Sequence, residues 1–163
     1  MDKERRPPSR GSGRRHWALA LLTAGLLGCA SPPLGPPDVG GPEWQVRQGQ
    51  AVWRPRRDAP ELAGDVILSM HPGGDFLVEF SKSPLPLVRA HRVGARWEVM
   101  FPTEGRRLGG HGAGSDRVLW LRLPDALAGE PVVPPVSFAS PGPEHWRIEN
   151  RRTGEHLEGF LSP

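Results

Sequence analysis

From Trp44 onward the chain is dominated by apolar and polar positions that alternate with a period of two. Phe76, Val78 and Phe80 alternate with Leu77, Glu79 and Ser81, and Trp97, Val99 and Phe101 alternate with Glu98 and Met100. Successive side chains on a strand point to opposite faces, so each run predicts a strand with one face buried. Further strands are expected at 44–54, 62–70, 86–92, 105–110, 135–139, 145–149 and 155–161. Turn residues separate them at hairpin distances: His71-Pro72-Gly73-Gly74, Val93-Gly94-Ala95, Thr103-Glu104-Gly105, Pro141-Gly142-Pro143 and Arg152-Thr153-Gly154. The expected fold class is mostly β: a curled antiparallel meander, half-barrel-like, forming a single domain over residues 43–163.

One stretch departs from that period. In residues 115–129, Val118, Leu119, Leu123 and Leu127 have helical spacing, Ser115 or Asp116 can cap the start, and Gly129 can end it. Pro124 interrupts the run because it has no backbone N–H to donate. Two short helical pieces are expected here, or a strand to Leu121 followed by one turn at Pro124-Asp125-Ala126-Leu127.

An internal similarity bears on the strand pairing. Trp97, Val99, Gly105, Leu108 and Gly110 recur at identical spacing as Trp146, Ile148, Gly154, Leu157 and Gly159. Each set reads as a strand opening on Trp, a turn at Gly, and a return strand carrying Leu then Gly. Two hairpins of equal loop length converging on one pattern, or a duplication, both account for it. Glycines inside return strands mark the bulges or bends by which a sheet is curled.

The N-terminus has a different character. Basic residues end at Arg14-Arg15, an apolar run follows from Trp17 to Leu27, and Leu26-Leu27-Gly28 precede the single cysteine, Cys29. About 20 apolar residues are needed to cross a bilayer, so this run is too short for a permanent span and reads as a secretory signal over residues 1–28. The sequence Leu26-Leu27-Gly28-Cys29 resembles the lipobox of bacterial lipoproteins. That resemblance implies diacylglycerol on the Cys29 thiol, further acylation of the palmitate type, and cleavage before Cys29. Ala30 is not the aspartate that retains such proteins at the inner membrane, so the resemblance further implies the periplasmic face of the outer membrane. Pro32, Pro33, Pro36, Pro37, Gly40, Gly41 and Pro42 make residues 29–42 a semi-rigid tether with almost nothing apolar to bury.

Charge changes meaning once divided at that boundary. The whole chain carries +3. Residues 1–28 hold six basic groups against Asp2 and Glu4, a net +4, which leaves residues 29–163 at −1. A nearly neutral mature chain offers no footprint for a polyanion, and no nucleic-acid partner is expected.

Catalytic chemistry finds no support in the motifs. His71, His91, His111, His145 and His156 form no H-x-H or HExxH set, and read as surface or turn histidines; no metal site and no cofactor are expected. Ser115 lacks a nucleophile elbow, and Gly109–Gly114 lacks the Lys-Ser/Thr pair of a phosphate loop and reads as a connector. The carboxylates read as solvated strand edges. Ser83-Pro84-Leu85-Pro86 is more informative, because it holds Leu85 between two prolines at a strand junction. Leu85 either folds back on the sheet or forms a stiff apolar tip that touches lipid or an acyl chain.

A tethered, mostly-β domain with a leading Trp strand, a meander, a central helical interruption and further hairpins is similar in layout to the LolA/LolB lipoprotein-carrier family. Members are curved half-barrels that accept acylated lipoproteins in an apolar cavity. The resemblance implies a non-enzymatic envelope lipoprotein that binds acyl chains or lipoproteins, with Leu85 nearest to the family's apolar delivery loop. The domain is shorter than the family and lacks its longer covering helices. The alternative is an accessory or scaffold lipoprotein that binds another envelope protein through its sheet. A cavity lined by Trp97, Val99, Phe101, Trp146 and Ile148 would favour the carrier; a filled core would favour the scaffold.

Overall fold

The computed structural model describes residues 32–142 and 144–162, so the signal segment and Cys29 lie outside the described residues. One compact unit spans Pro33–Pro163. Its nine strands are β1 (Gln45–Arg54), β2 (Leu62–Met70), β3 (Phe76–Lys82), β4 (Leu85–Val93), β5 (Arg96–Phe101), β6 (Arg106–His111), β7 (Val136–Ala139), β8 (His145–Asn150) and β9 (His156–Ser162). All pair antiparallel in one sheet of order β6-β5-β4-β3-β2-β1-β9-β8-β7. The architecture is the mostly-β antiparallel meander expected from the period-2 runs. It is not closed into a barrel, since β6 and β7 stand at opposite edges.

The ladder contains two meanders fused through the first and last strands. Ala51 of β1 faces Gly64 of β2 on one side and Gly159 of β9 on the other. Nothing in the local pattern specifies this β1–β9 seam, which joins residues over a hundred positions apart. The seam has a topological consequence: because β6 and β7 are at opposite edges, residues 112–135 must cross the sheet to connect them.

That crossing supplies the core. It contains a 3₁₀ turn at Leu119–Leu121 and a short α-helix at Leu123–Leu127, the first of the two arrangements expected for the segment. Val118, Leu119, Trp120, Leu121, Leu123 and Ala126 are buried there. They meet the inward positions of the strands, including Trp53, Val66, Leu68, Phe76, Val78, Phe80, Val99 and Phe101. Trp120 is the centre of this plug. Its ring stacks on Phe80 at 4.9 Å and meets Trp53 edge-on at 6.0 Å, arrangements aromatic quadrupoles favour. Arg92 fastens the helix to the sheet, gripping Asp125 with two bonds of 2.7 and 3.1 Å, donating to the Gly74 carbonyl, and lying 4.9 Å over the Phe76 ring.

The internal similarity is a repeated pairing register. Trp97 faces Gly110 and Val99 faces Leu108 across β5–β6; Trp146 faces Gly159 and Ile148 faces Leu157 across β8–β9. In each pair the indole lies over the glycine. A Cβ on Gly110 would run into the Trp97 ring, and one on Gly159 would come within 3.0 Å of Trp146 as well as into the backbone of β1. The return-strand glycines are thus required for close approach where the sheet bends. Burial separates the copies. Trp146 is 2% exposed and Leu157 fully buried, whereas Trp97 is half-buried at the margin of the core and Leu108, on edge strand β6, is 36% exposed.

Candidate functional site

The concavity of the sheet is not an open chamber. Val99, Phe101, Trp146 and Ile148, four of the five residues expected to line one, are buried in the packed core beneath the plug. Among the open grooves of the described residues is one of about 680 Å³ that none of the plug residues lines. It follows a row in the ladder, Gly64–Ala51–Gly159–Trp146, running across β2, β1, β9 and β8. Two glycines and an alanine lie side by side in this row, and at both glycines a Cβ would collide with adjacent backbone or rings, so the strands approach closely along the groove. Trp146 walls one end, joined by Pro141 and Phe160, and Lys82 and Ser83 border the other. The indole Nε1 of Trp146 is buried without a hydrogen-bond partner, so the wall contains one unused donor.

Leu85 sits beside this groove. It opens β4, pairs with Lys82 across the β3–β4 turn, and is 55% exposed, the most exposed large apolar residue among those described. Leu85 is not part of the buried core, and more than half of its surface is open. The β3–β4 turn pairs Leu85 with Lys82, which borders the groove, while Leu85 itself does not line it.

Two buried carboxylates correct the expectation that acidic residues line solvated strand edges. Glu155, 3% exposed, accepts a bond from Trp53 Nε1 at 3.2 Å through one oxygen and from the Leu119 backbone N–H at 3.1 Å through the other. It thereby ties the β8–β9 turn to both sheet and plug. Burial pushes its pKa up to about 7, and the hydrogen bonds from Leu119 and Trp53 only partly oppose that. Glu98, 5% exposed, lies on the outer face of β5, where Arg107 approaches one carboxylate oxygen at 3.6 Å.

Two histidines depart likewise from the surface reading, His91 at 3% and His156 at 4% exposed. His91 on β4 bonds through Nε2 to the Leu34 carbonyl at 3.1 Å, while its Nδ1 is buried without a partner. Nε2–H is the donor to the carbonyl, an arrangement that leaves Nδ1 without a partner. Burial, its largest influence, lowers the His91 pKa accordingly. The same Leu34 donates its N–H to Glu98 at 3.1 Å. The segment that reads as a spacer is therefore fastened to the sheet at Leu34, and again near Trp44, where Glu43 meets His71 at 2.8 Å and the Trp44 ring lies 5.4 Å from that imidazole.

Among the described residues no group of His, Cys, Asp and Glu is placed to hold a metal ion, and no helix is long and apolar enough to cross a membrane. The sequence matches no family model, and no curated protein matches it. Cys29, the expected lipid attachment, falls outside the described residues.

Proposed function

We propose that this chain is a non-enzymatic lipoprotein of the cell envelope, held to the membrane by lipid on Cys29, whose domain binds one apolar chain in the groove over Gly64, Ala51 and Gly159. The groove carries the reading. At about 680 Å³ it falls within the usual range of roughly 300–1,000 Å³ for small-molecule sites, and its lining combines an apolar floor with a few polar groups at the rim. Leu85 beside it supplies an apolar contact where a chain would pass between a bilayer and the protein. The filled core favours the scaffold over a LolA/LolB-type chamber, so the acyl-chain reading rests on the surface groove alone: a single chain lying in a trough rather than a multiply acylated lipoprotein inside a chamber.

Anchor and groove are tested separately. Cys29→Ser should yield an uncut precursor that takes up no labelled palmitate, because the thiol is the acyl acceptor; normal labelling of that variant would refute the anchor. For the groove, mass spectrometry of lipids that co-purify with the detergent-extracted protein should find a single-chain or acyl species. Leu85→Glu should lower that yield, because the new charge must be desolvated on contact with the chain, and should leave the melting temperature unchanged, because the side chain is already exposed. A lowered melting temperature with undiminished lipid yield would remove Leu85 from the site.

A second reading rests on a different observation. β6 pairs only with β5, and Arg106 to Gly109 are exposed along it. An open edge of this kind accepts an added strand from a partner, as in recognition by β-augmentation. Under this alternative the chain is a scaffold lipoprotein, and the purified protein holds no lipid beyond that on Cys29.

A further inference from the structure

We propose that the outer face of β4 and β5 is a docking site for the chain's own tether, and that docking sets how far the domain can stand from the lipid on Cys29. The second half rests on the anchor reading above; the first does not.

The docking site is built from two buried polar side chains on a face that is otherwise open. The strands place His91 and Glu98 directly opposite each other in the ladder. One donates to the Leu34 carbonyl and the other accepts from its N–H, so both backbone groups of a single residue are taken. The sequence around Leu34 makes that capture register-specific. In Pro32-Pro33-Leu34-Gly35-Pro36-Pro37 only Leu34 and Gly35 have an N–H to give, and the flanking prolines hold the strap extended before it docks, which lowers the entropic cost. Burial of His91 and Glu98 without the strap would leave a carboxylate and an imidazole short of partners. Their burial is explained by the peptide that covers them.

Docking changes the leash. Leu34 is five residue steps from Cys29, a reach of at most about 18 Å when fully extended. If the strap is released, the next fastening is Glu43 at His71, fourteen residue steps from Cys29, a reach of at most about 50 Å. The His91–Glu98 clamp therefore decides whether the domain is confined to the bilayer surface or ranges away from it.

The test uses the full chain, purified with its lipid and reconstituted in vesicles. Hydrogen exchange should show the Leu34 amide of the parent protected by its bond to Glu98. Glu98→Ala should raise exchange at Leu34 roughly ten- to hundredfold, the loss expected for a hydrogen bond to a charged group. Leu34→Pro removes the captured N–H without changing a strand residue, and should leave β3, β4 and β5 protected. In the same vesicles, energy transfer from the domain's tryptophans to a headgroup-labelled lipid should fall in both variants. A Leu34 amide that exchanges in the parent at unstructured rates would overturn the docking. A protected amide, freed in Glu98→Ala with no change in energy transfer in either variant, would overturn the leash. Absence of acyl mass on Cys29 would overturn the anchor and the leash together, with docking then decided by exchange alone.

Discussion

Trp146→Ala is expected to leave the domain largely unfolded or proteolysed, whereas Trp97→Ala is expected to leave it folded with a modestly lowered Tm. The two tryptophans occupy the same position in a repeated hairpin, each over a return-strand glycine. Sequence spacing alone gives both the same interior role, and so the same cost. Their neighbours differ. β5 and β8 are both next to an edge strand, but β7 beside β8 is partly buried whereas β6 beside β5 is exposed along most of its length, and Trp146 is only 2% exposed. Removing a fully buried Trp costs about 3–5 kcal/mol, comparable to the whole stability of a small domain. Removing Trp97, which lies at the margin of the core and is partly exposed, forfeits less buried area and costs correspondingly less. Circular dichroism melts and limited proteolysis of the two variants measure the difference. Equal losses would mean that the edge hairpin is as integral to the core as the inner one. Because Trp146 also walls the groove, a folded Trp146 variant would be the direct probe of lipid retention.

That asymmetry shows where the sequence stops being informative. Strand positions were legible because each is a local pattern: the alternation Phe76, Val78, Phe80 and the turn residues between runs lie within a few positions of one another. The break at Pro124 was legible because proline has no N–H to donate inside a helix; whether the part before it is helical or a strand to Leu121 was not, and the structure makes it a 3₁₀ turn. Even the inner and outer sides of β5 were assigned correctly, with Glu98 facing away from the core. What period-2 reading cannot supply is what covers an outward face. Glu98 is buried by Leu34, 64 residues earlier, and His91 by the same residue 57 residues earlier. The groove is equally non-local, because Gly64, Ala51 and Gly159 are unremarkable singly and become a trough only when the β1–β9 seam lines them up. Glu155 is the extreme case. Its neighbours in sequence are turn residues, and its burial depends on Trp53, 102 positions away, and on Leu119 in the plug.

Glu155 should make the domain lose stability as pH rises toward and through neutrality, the reverse of ordinary buried-carboxylate behaviour in which an ion pair is lost in acid. The two oxygens each accept one N–H, from Trp53 and Leu119, a pattern that suits an ionised carboxylate. Yet no cation is hydrogen-bonded to it, and burial lifts its pKa from 4.5 to about 7. A group whose folded pKa lies above its unfolded value binds more protons when folded. Its contribution is therefore present in full below about pH 4.5 and is lost as pH rises through about 7, with a total effect of about 3 kcal/mol. His91 acts in the opposite sense: its folded pKa is lowered beneath 6.5, so its contribution is lost as the solution is made more acidic. The net profile mixes the two, and the difference between parent and variant separates them. Glu155→Gln cannot ionise and retains His91, so subtracting its denaturant-unfolding free energies from those of the parent, measured from pH 4.5 to 8, should leave a curve that falls by about 3 kcal/mol across the window. A flat difference would mean that Glu155 titrates at its unfolded value, and that the two N–H donors of Trp53 and Leu119 fully offset the cost of burying its charge.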